Sequence, residues 1–279
     1  MAHFKRYQYQ TGKGVQRAAT FTWGEWLAAA SALPRDLSYG DADWAGTRTL
    51  GEAVKVGQSG WPEGQRLIQS VALPALAHLG VGATQYGVAA EVCGAALDVG
   101  TYMSGVPECW VTPDPIQPRP LVTIGANIAA SAAIPTDVLK RRGAAVTALS
   151  LALTQAGYAV RVYAVSALPV NQHTGDTTAS RVLLTDDAGG PLDTDRVLFA
   201  LAHPANLRQV CFAVHADMND CRATGDHLHG VPADPPESLG WKFDLYLPRA
   251  VSTEANWRDA ASVERWVKAQ FAALTTQRD

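Results

Sequence analysis

Leu121-Val122-Thr123-Ile124, then Thr136 with Val138, Arg142, Val146, Leu149 and Leu153, then Gly157 and Tyr158-Ala159-Val160-Arg161-Val162-Tyr163-Ala164-Val165 together decide the fold. The first four residues are an apolar β-run. The middle set recurs on one side of a helix, with Thr136 as its N-cap and Gly157 as its left-handed stop. The last eight alternate Val160, Val162 and Ala164 with larger residues, which predicts a strand. A strand, a helix and a strand in succession predict a parallel pair joined by a crossover.

Working toward the C-terminus, residues 166–179 show no helical period, and Arg181-Val182-Leu183-Leu184 is again a β-run. No crossover helix is available there, so Tyr158–Val165 and Ser180–Leu184 are expected to pair antiparallel. Asp193 or Asp195 starts a helix running to His203 or beyond. Val210–Val214 reads as a buried strand and Trp241–Leu247 as the next. Val263, Trp266, Val267, Phe271 and Leu274 form one stripe of a terminal helix. Residues 121–279 therefore read as an α/β domain, a doubly wound and mostly parallel sheet with one antiparallel edge strand.

Working toward the N-terminus, Thr112-Pro113-Asp114-Pro115-Ile116-Gln117-Pro118-Arg119-Pro120 can neither continue a helix nor donate a full ladder. Residues 113–120 read as an extended linker. Residues 1–112 read as a smaller α+β region rich in tryptophan (Trp23, Trp26, Trp44, Trp61 and Trp110), with core packing the expected use of those rings. Helices are expected over Thr22–Leu33, from Thr49 with Glu52 in capping-box register, and from Pro62 to about Leu79, where Pro74 should kink or split the last. Tyr86–Cys93 and Leu97–Val111 read as short strands with Gly-rich turns.

The chain has 279 residues, 47% hydrophobic and 18% charged, a balance that fills a core. A net charge of −3 and a pI near 6.2 give no global basic excess, so a nucleic-acid partner is not expected. Met1-Ala2-His3-Phe4-Lys5-Arg6-Tyr7 lacks the apolar region of a signal peptide, and no apolar run is long enough to span a bilayer. The expected setting is soluble and cytoplasmic. Cys93, Cys109, Cys211 and Cys221 form no C-x-x-C pair and read as reduced, buried thiols.

The order strand, helix, strand, antiparallel strand, helix, strand, long loop, strand, helix resembles a von Willebrand factor A-like domain over roughly residues 119–279. The two halves together are similar to an uncharacterised family of bacteriophages and other mobile elements. That similarity is carried by residues 44–53 (WAGTRTLGEA), 60–64 (GWPEG), 97–110 (LDVGTYMSGVPECW) and 142–146 (RGAAV). It supplies a setting and no mechanism. The A-like resemblance implies a metal site where the first strand ends, built on Asp-x-Ser-x-Ser. The corresponding Gly125-Ala126-Asn127-Ile128-Ala129-Ala130-Ser131 lacks the Asp and the spaced serines, and a hard dication needs anionic oxygen, so no metal or other cofactor is expected.

Other candidates are weaker. His215, Asp217, Asp220, Cys221, Asp226, His227 and His229 have zinc-ligand chemistry, but they follow no metal motif and sit in a Gly/Pro/Asp-rich stretch. Cys109 beside Glu108 has no local base, Gly12-Lys13-Gly14 lacks a phosphate-loop context, and Lys140-Arg141-Arg142 reads as a solvated helix face. Two functions remain. One is a non-enzymatic interaction or assembly protein that docks a protein partner through its A-like domain. The other is a metal-dependent enzyme. Doubly wound sheets bind ligands beyond their strand C-termini, so Asn127, Ser131, His215 and Asp217 are the candidate ligand or partner residues. Convergent carboxylates in a cleft favour the enzyme; apolar surface exposed elsewhere favours docking.

Overall fold

The run from Leu121 forms β6 (Leu121–Asn127), where Val122, Ile124 and Ala126 turn to one face and are buried while Leu121 stays exposed. The computed structural model describes residues 5–11, 14–38, 40–79, 88–91, 96–113, 120–171, 176–185, 192–218, 232–251 and 254–276. In chain order these hold β1 (Lys5–Thr11), β2 (Gly14–Thr22), α1 (Trp23–Ser31), α2 (Ala42–Ala45), α3 (Leu50–Ser59) and α4 (Pro62–Leu79). Next come β3 (Val88–Glu91), β4 (Ala96–Leu97), α5 (Val99–Met103), β5 (Trp110–Pro113), β6 and α6 (Thr136–Gln155). Last are β7 (Ala159–Asn171), β8 (Asp176–Leu183), α7 (Thr194–Ala202), α8 (Phe212–Met218), β9 (Leu245–Leu247) and α9 (Ala260–Thr276).

The fold is α/β. One sheet has the order β1-β2-β8-β7-β6-β9, and a small one has the order β3-β5-β4. In the large sheet β6 pairs parallel with β7 and β9, and β2 parallel with β8. The β7–β8 pair is antiparallel, with Ser166 opposite Ser180, as the missing crossover helix requires. Asp193 caps α7 on the Arg196 N–H, and Val263, Trp266, Val267 and Leu274 are buried on α9, both as read. Thr22 and Glu25 close a capping box on α1, and Thr49 caps α3. Helix α6 begins one residue earlier than read: Pro135 is its N-cap, and the Thr136 hydroxyl is turned to Arg208 instead.

Four expectations are corrected. First, the division at residues 113–120 does not separate two cores. Strand β2 from the N-terminal region continues the main sheet beside β8, so β8 is internal and not an edge. Trp23, Trp26, Leu50 and Trp61 join the same buried cluster as Ile124, Leu149, Phe199 and Val267. Pro113 itself ends β5; residues 114–119 lie outside the described ones. Second, Val210–Val214 is helical. A π-helical turn over Asn206–Cys211 runs into α8, because a short buried apolar run fits helix or strand equally. Third, between the short strands at the two ends of Leu97–Val111 the chain is helical rather than only a turn, with Asp98 capping α5 on the Thr101 N–H, and Trp241–Leu247 shortens to β9. Fourth, of the kink or split expected at Pro74, the split does not occur: α4 runs from Pro62 to Leu79.

Helices α1, α3, α6, α7, α8 and α9 pack on one side of the large sheet. Ala19, Phe21, Val122, Ile124, Ala126, Val162, Ala164 and Val182 share a cluster with residues of α1, α3, α6, α7, α8 and α9. The other face carries Gly125 under the Phe243 ring, and Arg181 lies 5.3 and 5.2 Å from the Tyr163 and Trp241 ring centres. Among the described residues, the segment leading into β9 meets this face.

Helices α6 and α7 approach so closely that a Cβ on Gly143 would stand 2.5 Å from Ala202 N and Cα. Those are backbone atoms, which yield only if a helix moves. Gly143→Ala is therefore expected to destabilise by about 2 kcal/mol, the range of overpacking in a full core, although alanine is the better helix former. Urea unfolding checks it: a neutral or stabilising outcome would mean the two helices slide freely.

Candidate functional site

Asn127 ends β6 where the sequence placed it, but it is 1% exposed and fully engaged. Its Nδ2 donates to the Ala233 carbonyl and to Asp234 Oδ1, each at 2.9 Å, and its Oδ1 accepts from the Ala129 N–H at 2.9 Å. Asp234 Oδ1 also accepts from the Tyr246 hydroxyl at 2.7 Å and the Arg249 N–H at 3.0 Å. Burial pushes the Asp234 pKa up, but the donors Tyr246, Asn127 and Arg249 outweigh it and hold it below the ordinary range. The Tyr246 phenol is raised by burial and by donating to Asp234.

Beneath this clamp lies Arg142, 5% exposed. Its Nη1 donates to the Asn127 carbonyl at 2.8 Å and its Nη2 to the Pro248 carbonyl. Burial lowers the guanidinium to about 10, partly offset by Glu254, Tyr246 and Asp234, so it stays charged at neutral pH. The three elements that meet here, β6, α6 and the turn after β9, are held by these polar contacts. The Arg142 expected on a solvated face thus fastens the interior, because its position is two turns into the buried stripe of α6.

The other candidates do not converge on Asn127. Ser131 is exposed, and its hydroxyl accepts from the Ala133 N–H at 3.4 Å. His215 lies on α8, not on a strand end, and is wholly buried. Its Nε2 is 3.1 Å from Ser166 Oγ and 2.9 Å from Ser180 Oγ, on β7 and β8. Cys211 donates to Ser166 at 3.3 Å, and the Trp26 ring meets the imidazole edge-on at 6.4 Å. The residue types are those of a nucleophile and its base, but burial lowers His215 to about 4 and raises Cys211 to about 12. A protonated thiol sealed from solvent attacks nothing, so the cluster satisfies buried polar groups. Asp217 is half-buried on α8. Asp220, Cys221, Asp226, His227 and His229 lie outside the described residues, as does Cys93; Cys109 is a free, buried thiol. Among the described residues no three of His, Cys, Asp and Glu are grouped to hold a metal ion.

A cavity of about 590 Å³ opens between β9 and α9, bordered by Asp234, Tyr246, Arg249, Glu254, Trp257 and Gln270. Its acids are occupied in building its own wall. Asp234 is bound as above, and Glu254 accepts from the Val251 N–H and the Trp257 indole.

The surface that sequence reasoning missed is the turn through α5. Among the described residues, the large apolar side chains left exposed are Leu97, Val99, Tyr102, Met103, Val106, Leu121 and Val251. Five of these seven fall within ten residues of one another. Met103 is 78% exposed, Val99 63% and Tyr102 59%. The turn is nevertheless well formed. Asp98 N–H donates to the Cys109 carbonyl at 2.8 Å, closing its base, and the Asp98 carboxylate accepts from the Thr101 N–H and hydroxyl. Cys109, whose carbonyl accepts from the Asp98 N–H, is buried. The available signal was Asp98 three residues before Thr101, a cap that breaks the strand reading.

A family model described as a domain of unknown function, DUF7192, matches residues 17–278. No curated protein and no solved structure matches the chain.

Proposed function

We propose a docking role for this chain, which belongs to the DUF7192 family: it is a non-enzymatic interaction or assembly protein, and its partner seats on the turn through α5. The observation that carries the reading is the concentration of exposed apolar side chains at Leu97, Val99, Tyr102, Met103 and Val106 on the capped turn through α5. Scattered single apolar residues are normal on a surface; a contiguous patch marks a place that something else covers. The cavity beside β9 supports the same reading, since the carboxylates that border it, Asp234 and Glu254, are engaged within the fold.

The docking face accordingly moves from the A-like region to the small sheet. What supports an A-like ancestry is the order β8-β7-β6-β9 with β8 reversed; what departs from it is the continuation of the sheet into β2 and β1. The phage or mobile-element setting rests on the sequence resemblance alone. A cytoplasmic site of action is part of the proposal; among the described residues no single helix is long and apolar enough to cross a membrane.

A photo-crosslinking residue at position 103, in cells carrying the protein, is expected to give one discrete adduct. The same residue at exposed Gln69 on α4 should give none. Tyr102→Asp with Val99→Asp should abolish the adduct while leaving stability within about 0.5 kcal/mol, as for other surface changes. Equal labelling at 103 and 69 would overturn the docking reading.

A further inference from the structure

We infer that the partner is a different protein whose receiving surface is an apolar groove edged with lysine or arginine. This rests on the docking reading above and adds the chemistry of the occupant. Between Arg66 and Arg119 the chain contains no lysine or arginine, yet it contains Glu91, Asp98, Glu108 and Asp114. Four negative charges without a cation stand out in a chain whose whole net charge is −3. The small sheet and α5 lie inside that interval, so the segment that carries the apolar turn brings acids and no lysine or arginine of its own.

The charge is placed as an interface rim would be. From Val99 to Pro107 there is no charged residue, and Asp98 and Glu108 flank the stretch on either side. The Thr101 N–H and hydroxyl hold the Asp98 carboxylate below its ordinary pKa, so it remains an anion through the physiological range. A central apolar patch with a polar rim is the usual layout of a protein interface, with the rim setting orientation and association rate.

The same arrangement argues against the two other occupants. A second copy docked tip to tip would set Asp98 and Glu108 against their own counterparts, with no cation in either tip to separate them. A bilayer with anionic headgroups would meet the same repulsion, and membrane-binding tips carry basic flanks that this one lacks.

The test uses the full-length chain and the protein recovered as the position-103 adduct, purified. Affinity is measured for the wild type and for Asp98→Asn with Glu108→Gln, at about 50 and about 300 mM salt. Asparagine caps a helix as well as aspartate, so the turn is retained. The wild type is expected to bind about tenfold more weakly at the higher salt, and the double variant about tenfold more weakly at the lower, with little salt dependence left. Equal or tighter binding by the double variant overturns the basic rim while the docking reading stands. An adduct of twice the chain mass overturns it in favour of self-association. No adduct at position 103 defeats the docking reading itself, and this inference with it.

Discussion

Arg208→Ala is expected to lower the unfolding free energy by about 4 kcal/mol, the range for removing one member of a buried charged network. Arg208 is 1% exposed in the π-helical turn before α8. Its Nη1 donates to the Trp44 carbonyl at 2.6 Å and to Thr136 Oγ1 at 3.3 Å, and its Nη2 to the Ile134 carbonyl at 3.1 Å. The guanidinium also lies 4.3 Å from the centre of the Trp44 ring. One side chain thus joins α2, the start of α6 and the π-helical turn. Truncation would leave two carbonyls without their donor and a void beneath Trp44.

The competing effect is the cost of burying the charge, which lowers the Arg208 pKa to about 10. Its hydrogen-bond partners among the described residues are neutral oxygens, so no carboxylate repays that cost. Arg208→Met separates the two contributions. It keeps most of the volume and abolishes both the bonds and the desolvation, and about half the loss is expected. Thermal unfolding should show a midpoint lower by roughly 8 °C or more for the alanine variant. A loss under about 1 kcal/mol for alanine would mean that water replaces the guanidinium without penalty.

The same turn explains why one part of the fold was legible and another was not. Strands β6, β7 and β8 and helices α6, α7 and α9 were readable because each shows its own period over many residues. The union of the two halves was not, because it depends on contacts with no local signature. Asn206 accepts from the Trp26 indole at 3.0 Å, Arg208 reaches Trp44, and Gln209 donates to the Thr47 carbonyl at 3.1 Å. These partners are more than 160 residues apart in sequence. Three polar residues ahead of Val210 should have argued against a buried strand, since each needs a partner in the interior. The sequence also carries a hairpin signal. Tyr7 and Tyr9 alternate with glutamines, and Ala19 and Phe21 with threonines, across Gly12-Lys13; Thr11 pairs with Gly14.

The candidate site divides in the same way. That Asn127 would stand at the end of the first C-terminal strand followed from strand length alone. That its amide would be taken by Asp234, 107 residues later, did not. His215 and Asp217 were assigned to a strand end through the misread helix, and their apparent convergence with Asn127 went with it. The apolar turn is legible as a stretch of sequence, but that Val99, Tyr102 and Met103 stay exposed follows only from the placement of α5.

Acidification from about pH 6.5 to about pH 4 is expected to remove about 3 kcal/mol of stability for each of His203 and His215. Burial lowers both to about 4, and Lys140 adds to the effect on His203. The His203 ring is stacked at 5.0 Å on Phe199 and meets Trp61 edge-on at 4.6 Å, and its Nδ1 accepts from the Ala205 N–H at 3.1 Å. Protonation of Nδ1 would end that bond. Protonation of His215 would place a charge between Trp26 and two hydroxyls in a sealed interior. In the unfolded chain both imidazoles titrate near the ordinary value of 6.5. Below that pH the unfolded state therefore binds protons that the folded state refuses, and stability falls with pH until the folded groups titrate near 4. The steepest contribution is about 1.4 kcal/mol per pH unit for each histidine. At still lower pH the depressed carboxylates Asp98, Asp234 and Asp259 continue the loss, since their folded forms resist protonation. Urea midpoints at pH 7, 5.5 and 4 measure the slope, and His203→Phe, which keeps an aromatic ring against Phe199, should remove about half of it. A flat profile between pH 6.5 and 4, or an unchanged slope in His203→Phe, would show that water reaches these rings and that the interior around α7 and α8 is open.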